Sequence, residues 1–236
     1  MIMEDIFQQE LINSGTSKTK NEQFDKNGYL LVENLVDIQE LICEVPNERG
    51  NLKYFGSLEK YIFEFDKGQV AGSFERWDYP PYEKFHYIIK KKLESIIGED
   101  LYPTYYYDRF YFPGQKLDLH LDRPACEISV TMHIRTNLKD PWPFCIKGCD
   151  TYNENKTQVL DSGQLFSAIL KPGDVLIYKG CERPHWRELM PGVKRNKVRK
   201  LIGKEELFYH QIFFHYVLAN GNRAHHAWNM IDKNNA

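Results

Sequence analysis

The stretch Lys116-Leu-Asp-Leu-His-Leu-Asp-Arg-Pro124 places a histidine and an aspartate two positions apart, at His120 and Asp122. In a β-strand successive side chains turn to opposite faces, so these two side chains would point the same way. An imidazole and a carboxylate presented together are half of a metal site. The other histidines of the chain can be tested as the missing partner.

His185 is the best candidate for a second imidazole. It follows the segment Lys171-Pro-Gly-Asp-Val-Leu-Ile-Tyr178, which predicts a Pro-Gly turn and then a strand. Two histidines and one carboxylate make the facial triad that holds non-haem Fe(II) and leaves positions open for substrate and O2. The sequence therefore predicts a metal site on His120, Asp122 and His185.

The chain after Pro103 consists largely of short runs rich in β-branched and aromatic residues. Eight such runs are separated by turn signals: Thr104 to Phe112, Lys116 to Leu121, Glu127 to Arg135, Phe144 to Lys147, Gln164 to Leu170, Asp174 to Tyr178, His185 to Glu188 and Phe208 to Leu218. Eight strands predict a jelly roll, the double-sheet design of cupins and their relatives. We expect a mainly β protein with flanking helices.

The region before this core is predicted to support it. Residues 4–27 have the pattern of two short polar helices, and strands are expected at Gly28 to Val32 and Tyr61 to Phe65. From Tyr82 to Ile97 apolar residues recur at helical spacing, and Gly98 stands where a helix usually ends. We expect one domain over residues 1–236, with an N-terminal support region at 1–103 and the jelly-roll core at 104–218.

Composition narrows the classes of partner and compartment. The formal net charge of the 236 residues is -2, which gives no electrostatic reason to expect nucleic acid or an anionic membrane surface. Five cysteines are an odd number and argue against a disulfide framework, and no stretch has 18 consecutive apolar residues. We expect a cytoplasmic protein with no membrane segment that acts on a small-molecule or peptidyl substrate. The oligomeric state is not readable.

The segment Tyr111-Phe-Pro-Gly-Gln-Lys-Leu-Asp-Leu-His-Leu-Asp122, followed by Pro172-Gly-Asp174 and His185, resembles the Fe(II)/2-oxoglutarate-dependent oxygenases, especially their prolyl 4-hydroxylase-like branch. The stretch Phe24-Asp-Lys-Asn-Gly-Tyr-Leu-Leu-Val32 also resembles the opening of phytanoyl-CoA hydroxylase-like members. The resemblance covers roughly residues 105–217. It implies a double-stranded β-helix core, Fe(II) on His120, Asp122 and His185, and 2-oxoglutarate chelating the iron.

A bound 2-oxoglutarate needs a basic residue for its far carboxylate. Relatives usually carry that residue about ten positions past the distal histidine. Lys194 and Arg195 match the count here, but the basic segment around them, Val193 to Lys204, has the pattern of a loop or inserted lid. We rank Arg187 first, because it shares a strand face with His185, Arg195 second and Arg135 third.

Other residues are expected to line the same interior. Tyr111 matches the family tyrosine that contacts 2-oxoglutarate, and Arg109 shares its strand face. Ser129, Thr131 and His133 share a polar face on an internal strand, which predicts a lined cavity and places Thr131 among the cosubstrate contacts.

The resemblance implies a hydroxylase that turns 2-oxoglutarate into succinate and CO2 while it oxidises an unactivated C-H bond. Fe(II), 2-oxoglutarate and O2 would be required, with ascorbate as a candidate reductant. Peptidyl proline, an amino acid and a small metabolite all stay open as substrates. Two other functions also stay open: a jelly-roll binding module without chemistry, and a cupin-like metalloenzyme that does not use 2-oxoglutarate.

Overall fold

The computed structural model describes residues 20–65, 68–152, 159–161 and 163–227. Its three α-helices are α1 (Glu22–Asn27), α2 (Glu83–Ile97) and α3 (Val193–Leu201), with single 3-10 turns at Gln39–Leu41, Pro80–Tyr82, Pro124–Cys126 and Ala224–His226. Most of the helical prediction for residues 4–27 falls on residues 1–19, outside the described part, and α1 agrees with its final stretch. No helix in the described ranges is both long and apolar enough to cross a membrane.

The described residues also form fourteen strands, which are connected by turns and loops. They are β1 (Tyr29–Val32), β2 (Gly50–Tyr54), β3 (Tyr61–Phe65), β4 (Phe74–Trp77), β5 (Leu101–Tyr111), β6 (Leu117–His120), β7 (Ile128–Thr136), β8 (Phe144–Lys147), β9 (Thr151–Tyr152), β10 (Val159–Asp161), β11 (Leu165–Ala168), β12 (Val175–Tyr178), β13 (His185–Arg187) and β14 (Tyr209–Leu218).

These strands form two main sheets and one short hairpin. The large sheet has the order β1-β12-β7-β14-β5-β4-β2-β3, the small sheet has the order β11-β8-β13-β6, and β9 pairs with β10. The mainly β, jelly-roll architecture predicted from the sequence is confirmed. All eight predicted core strands are present, most with ends shifted by one to three residues. The proposed boundary between a support region and a core at residue 104 stays a prediction.

The two faces of β7 have different chemistry, and this difference positions the interior site. Val130 and Met132 are buried in one apolar cluster with Ile89 and Leu93 of α2, so the predicted buttressing helix is confirmed. Burying an isoleucine or leucine side chain in this way contributes roughly 1.5–3 kcal/mol. The alternate residues of β7 turn toward the small sheet and are polar.

Helix α2 ends where the sequence predicts. Gly98 adopts a left-handed conformation with φ 75°, and its backbone N–H donates a hydrogen bond to the carbonyl oxygen of Glu94. A residue with a Cβ is strained in that conformation, which is why glycine ends so many helices.

The segment Val193 to Lys204 differs from its prediction as a loop, because its first nine residues form helix α3. Lysine, arginine and leucine are good helix formers, and their summed preference is sufficient where the neighbouring turns hold the helix in place. The side chain of Asn196 supplies that hold. Its Nδ2 donates to Glu206 over 3.1 Å, and its Oδ1 accepts from the backbone N–H of Leu207 over 2.7 Å.

Candidate metal centre

Strands β6 and β13 bring the two candidate histidines together. The strands are antiparallel neighbours, and His120 lies directly opposite His185 in their register. The imidazole centroids are 4.3 Å apart. Asp122 follows two residues after His120, and its Oδ1 lies 3.6 Å from Nε2 of His120 and 3.5 Å from Nε2 of His185. One ligand atom from each residue lies within 4.8 Å of the other two.

Backbone hydrogen bonds orient both imidazoles. Nδ1 of His120 lies 2.8 Å from the carbonyl oxygen of Asp118, and Nδ1 of His185 lies 2.9 Å from that of Arg183. A carbonyl oxygen can only accept, so each Nδ1 carries the proton. Both Nε2 lone pairs are therefore free and face Asp122. Metal-binding histidines commonly have their second nitrogen fixed in this way.

Asp122 is held as a carboxylate with one oxygen free. Its backbone N–H donates to the carbonyl oxygen of Gly180 over 2.9 Å, and its Oδ2 accepts a 2.8 Å hydrogen bond from the hydroxyl of Ser129. Burial favours the neutral acid, but the adjacent imidazoles of His120 and His185 outweigh it and lower the pKa of Asp122 far below its ordinary value. Oδ1 thus carries negative charge toward the imidazoles.

Gly180 is required by the close approach of the loop behind Asp122. A Cβ at this position would lie 2.3 Å from Oδ2 of Asp122, 2.4 Å from the carbonyl oxygen of Cys126 and 2.6 Å from the Ser129 hydroxyl. No side chain fits there unless the candidate ligand moves.

Arg187, the first-ranked cosubstrate residue, is fully buried between the sheets. Its Nη1 donates to the carbonyl oxygen of Trp142 over 2.6 Å, and its Nη2 donates to Oε1 of Gln211 over 2.9 Å. The guanidinium also packs on the rings of Trp142 and Tyr209, at 4.5 and 4.6 Å from their centroids. In the described part of the chain these contacts include no carboxylate.

Several buried donors around Arg187 make no hydrogen bond within the described residues. They are Nε of Arg187, Nε2 of Gln211 and Oγ1 of Thr131. These atoms come from the three strands β13, β14 and β7. Gln211 of β14 connects the other two strands, because it bonds to Arg187 of β13 and lies opposite His133 of β7. Leaving a buried polar group unpaired costs about 1–3 kcal/mol. A polar ligand with acceptor atoms would satisfy this cluster.

The remaining predicted cosubstrate residues divide into two groups. Tyr111 is buried with its hydroxyl accepting from Nη1 of Arg109 over 2.8 Å, and its ring packs edge-on against Trp142 at 5.0 Å. Tyr111 therefore belongs to the same interior as Arg187 and Thr131. Arg195 lies on α3 and contacts Asp140 at 3.6 Å, where its side chain is 35% exposed.

Arg135, ranked third from the sequence, points to a different part of the protein. Its Nη2 donates to the carbonyl oxygen of Cys43 over 2.6 Å. It lines a cavity of about 690 Å³ together with Arg49, Lys200 and Lys204, and that lining includes none of the three candidate ligands.

Sequence reasoning missed Gln211 and Trp142. Gln211 could have been found as a polar residue on the inward face of the last strand, β14. Trp142 lies in a loop before β8, and nothing in the sequence indicates that its carbonyl group would meet an arginine.

Comparison with known proteins was made at the level of sequence and of structure. No protein-family model matches the chain, and no curated protein matches it. An oxidoreductase of the 2OG-Fe(II) oxygenase family from Burkholderia pseudomallei superposes with a TM-score of 0.50 at 12% identity, over 85% of this chain and 95% of that one. The chain has the fold of these oxygenases.

Two further solved structures support the same fold. AviO1 from Streptomyces viridochromogenes Tue57 gives a TM-score of 0.51 at 9% identity, over 85% of this chain and 94% of that one. HygX from Streptomyces hygroscopicus, solved with nickel and 2-oxoglutarate bound, gives 0.50 at 10% identity, over 86% and 89%. At these identities the likeness extends to the fold and not to the reaction.

Proposed function

We propose that this protein is an Fe(II)- and 2-oxoglutarate-dependent dioxygenase that hydroxylates a small-molecule or peptidyl substrate. The observation that carries the proposal is the meeting of His120, Asp122 and His185, with two free imidazole nitrogens and one carboxylate oxygen within 4.8 Å, inside a jelly roll. Two histidines and one carboxylate on one side of a metal are the donor set of non-haem Fe(II) oxygenases.

The interior around Arg187 fits the second group that such an enzyme needs. A dicarboxylate that chelates the metal at one end has a far carboxylate to bury, and a buried carboxylate requires a cation and hydrogen-bond donors. Arg187 supplies the cation and an unpaired Nε, while Gln211 and Thr131 supply two further unpaired donors. HygX, which shares the fold, was solved with 2-oxoglutarate and nickel.

When bound, Fe(II) and 2-oxoglutarate supply the oxidising chemistry: one oxygen atom of O2 enters the substrate, and the other enters succinate as CO2 is released. The protein's residues hold and shape this site. His120 and His185 would bind the metal through their Nε2 lone pairs, and Asp122 would add one negatively charged ligand. Arg187 would balance the charge of the far carboxylate of 2-oxoglutarate. The rings of Trp142 and Tyr209 flank the guanidinium and exclude water from it.

Cysteine state supports the predicted compartment. All five cysteines are free thiols. Unpaired cysteines are typical of reducing compartments, so we also propose a cytoplasmic location.

The proposed function is tested by measuring succinate release from the purified protein given Fe(II), ascorbate, O2 and 2-oxoglutarate. The assay includes a panel of amino acids, peptides and metabolites. We expect release that a subset of the panel stimulates and that His120→Ala abolishes. A binding module would release none, and a cupin-like metalloenzyme would bind metal without consuming 2-oxoglutarate. Either result would refute the proposal.

A further inference from the structure

The residue after Asp122 is an arginine that is fixed in place but has no acidic partner among the residues that the structure describes. The backbone carbonyl oxygen of Arg123 accepts hydrogen bonds from the N–H of Cys126 over 2.9 Å and from Sγ of Cys181 over 3.2 Å. Its guanidinium lies over the ring of Tyr105, 4.2 Å from the centroid, and its Nε donates to the Tyr105 hydroxyl over 3.2 Å. Within the described ranges, none of its contacts is with a carboxylate.

Other arginines on this side of the protein are neutralised by the chain itself. Nε of Arg109 donates to Oε1 of Glu75 over 2.7 Å, and Nη1 of Arg223 lies 2.9 Å from Oε1 of Glu127. An ion pair or a fully hydrated side chain is the usual state of an arginine. Arg123 is exposed but makes no ion pair within the described ranges, and Tyr105 holds its guanidinium against an aromatic surface.

That surface is an aromatic wall made of Trp77, Tyr105 and Tyr107. The ring of Trp77 stacks on Tyr107 at 4.4 Å and on Tyr105 at 5.5 Å, with interplanar angles of 10° and 11°. Trp77 is only half-buried, whereas both tyrosines are buried. Phe213 also stacks on Tyr107, at 4.6 Å, and Arg123 covers Tyr105, so the half-buried ring of Trp77 is the apolar surface of this wall that a ligand can contact.

The aromatic wall adjoins the candidate metal centre. His215 connects the two: its ring lies 4.5 Å from that of Tyr105, and its Nδ1 lies 3.0 Å from the Ser129 hydroxyl, which donates to Oδ2 of Asp122. Exposure shows which side is open. The side chains of His120 and Asp122 are 23% and 13% exposed, that of His185 only 2%, and Arg123 is exposed. A substrate would therefore reach the centre past Arg123 and Trp77.

We propose that Arg123 and the aromatic wall bind the substrate, and that the substrate carries a carboxylate or phosphate group on an apolar or ring-bearing body. The inference rests on the proposed function and adds the substrate class to it. Arg123 binds the oxyanion with its two Nη groups, a geometry that matches carboxylate and phosphate alike. Trp77 contacts the body, and Tyr107, packed between Trp77 and Phe213, holds the Trp77 ring in place.

The test uses the full-length protein, both metal-free and loaded with Mn(II) and 2-oxoglutarate, and measures the binding of matched probes by ligand-observed NMR and calorimetry. The carboxylate pairs are 3-phenylpropanoate with 3-phenylpropanamide, and N-acetyl-phenylalanine with its amide. The phosphate pair is phenyl phosphate with phenol. We expect the anion of at least one pair to bind about tenfold or more tightly than its neutral partner, as a charge-assisted hydrogen bond implies. The pair that responds identifies carboxylate or phosphate as the group.

Three variants and one control separate this role from a structural one. Arg123→Gln should remove the preference for the anion, and Arg123→Lys should restore part of it. Trp77→Leu should weaken anionic and neutral ring compounds equally. Arg223→Gln, which changes an arginine already paired with Glu127, is the matched control and should keep the preference.

The proposal is overturned if no anion is preferred in any pair, or if the preference survives in Arg123→Gln. Mn(II) and 2-oxoglutarate affinities are measured on the same wild-type samples. If the protein binds neither Mn(II) nor 2-oxoglutarate, the proposed function is refuted. If it binds both but shows no preference for the anion, only the role of Arg123 is refuted.

Discussion

The hydroxyl of Ser129 donates a 2.8 Å hydrogen bond to Oδ2 of Asp122 and leaves Oδ1 to face the two imidazoles. Nδ1 of His215 lies 3.0 Å from the same hydroxyl oxygen. Because Ser129 donates its single proton to Asp122, the imidazole must be the donor to Ser129. A chain of two hydrogen bonds thus sets the direction of the candidate ligand.

Removal of this support should weaken metal binding without removing a ligand. Ser129→Ala frees Oδ2 and lets the carboxylate rotate, and loss of such a supporting hydrogen bond typically costs about 10–100-fold in metal affinity. Mn(II) titration by calorimetry measures the change. Ser167→Ala, on the exposed strand β11, is the control. Equal Mn(II) affinities for the wild type and Ser129→Ala would contradict this role.

Gly180 should tolerate no side chain. Gly180→Ala would place a methyl group 2.3 Å from Oδ2 of Asp122, so the loop or the carboxylate must move. Overpacking of this kind costs about 1–3 kcal/mol of stability, and we expect metal affinity to fall with it. Thermal unfolding with and without Mn(II) measures both effects.

Gly148→Ala is the matched control for that experiment. A Cβ at Gly148 would make ordinary contacts at 3.4 Å and beyond. The explanation fails if Gly180→Ala is as stable and binds Mn(II) as tightly as Gly148→Ala.

Arg187, and not Arg195, should determine the affinity for 2-oxoglutarate. Arg187→Gln removes a buried cation, and hydrogen bonds to charged groups are worth about 1.5–3 kcal/mol, which corresponds to roughly 10–150-fold in the dissociation constant. Titration of 2-oxoglutarate into the Mn(II)-loaded variants measures this. Arg195→Gln, which changes a half-exposed residue on α3, should bind normally. If Arg195→Gln weakened 2-oxoglutarate binding and Arg187→Gln did not, the residue ten positions past the distal histidine would be the one that binds the cosubstrate.

The sequence indicated the candidate metal ligands because their spacing is local or follows a recognisable turn, but the contact between them is not local. His120 and His185 meet because β6 pairs with β13, and no periodicity in either strand reveals its partner. The contact between Gln211 and Arg187 is not local either. The fold class was predictable because the short strands recur along the chain. The contacts of the candidate cosubstrate residues were not, because they depend on which strands pair and in what register.

Strand β4 shows a second reason why part of the structure could not be predicted from the sequence. Its sequence, Phe-Glu-Arg-Trp, places two adjacent charges in a buried strand and has no hydrophobic alternation. Both charges are matched across the pair with β5, Glu75 by Arg109 and Arg76 by Asp108. Sequence patterns treat such residues as exposed, since their partners lie more than thirty positions away. The aromatic wall was missed with this strand.

Acid should destabilise the metal-free protein partly through His86. This residue is on the buried face of α2, with Nε2 bonded to the carbonyl oxygen of His215 over 3.0 Å, and burial lowers its pKa to about 3. The unfolded chain takes up a proton near pH 6.5 while the folded state does not, so stability falls as pH drops from about 6.5 toward 3, by about 1.4 kcal/mol per pH unit.

Urea unfolding of the metal-free protein at pH 7 and pH 5 tests this assignment. His86→Gln keeps a donor for the His215 carbonyl group but cannot take up the proton, so its stability should depend less steeply on pH. His225→Gln, at an exposed position, is the control. Identical pH dependence in the wild type and His86→Gln would show that other groups cause the acid sensitivity.

A crystal grown with Fe(II) and 2-oxoglutarate in the absence of O2 would show whether His120, Asp122 and His185 hold one iron. Anomalous diffraction at the iron edge locates the metal independently of the protein. We expect one strong anomalous peak at metal-ligand distance from Nε2 of His120, Oδ1 of Asp122 and Nε2 of His185. The far carboxylate of 2-oxoglutarate should contact Arg187. A peak at another cluster, such as Cys43, Asp108 and His210, or no peak at all, would contradict it.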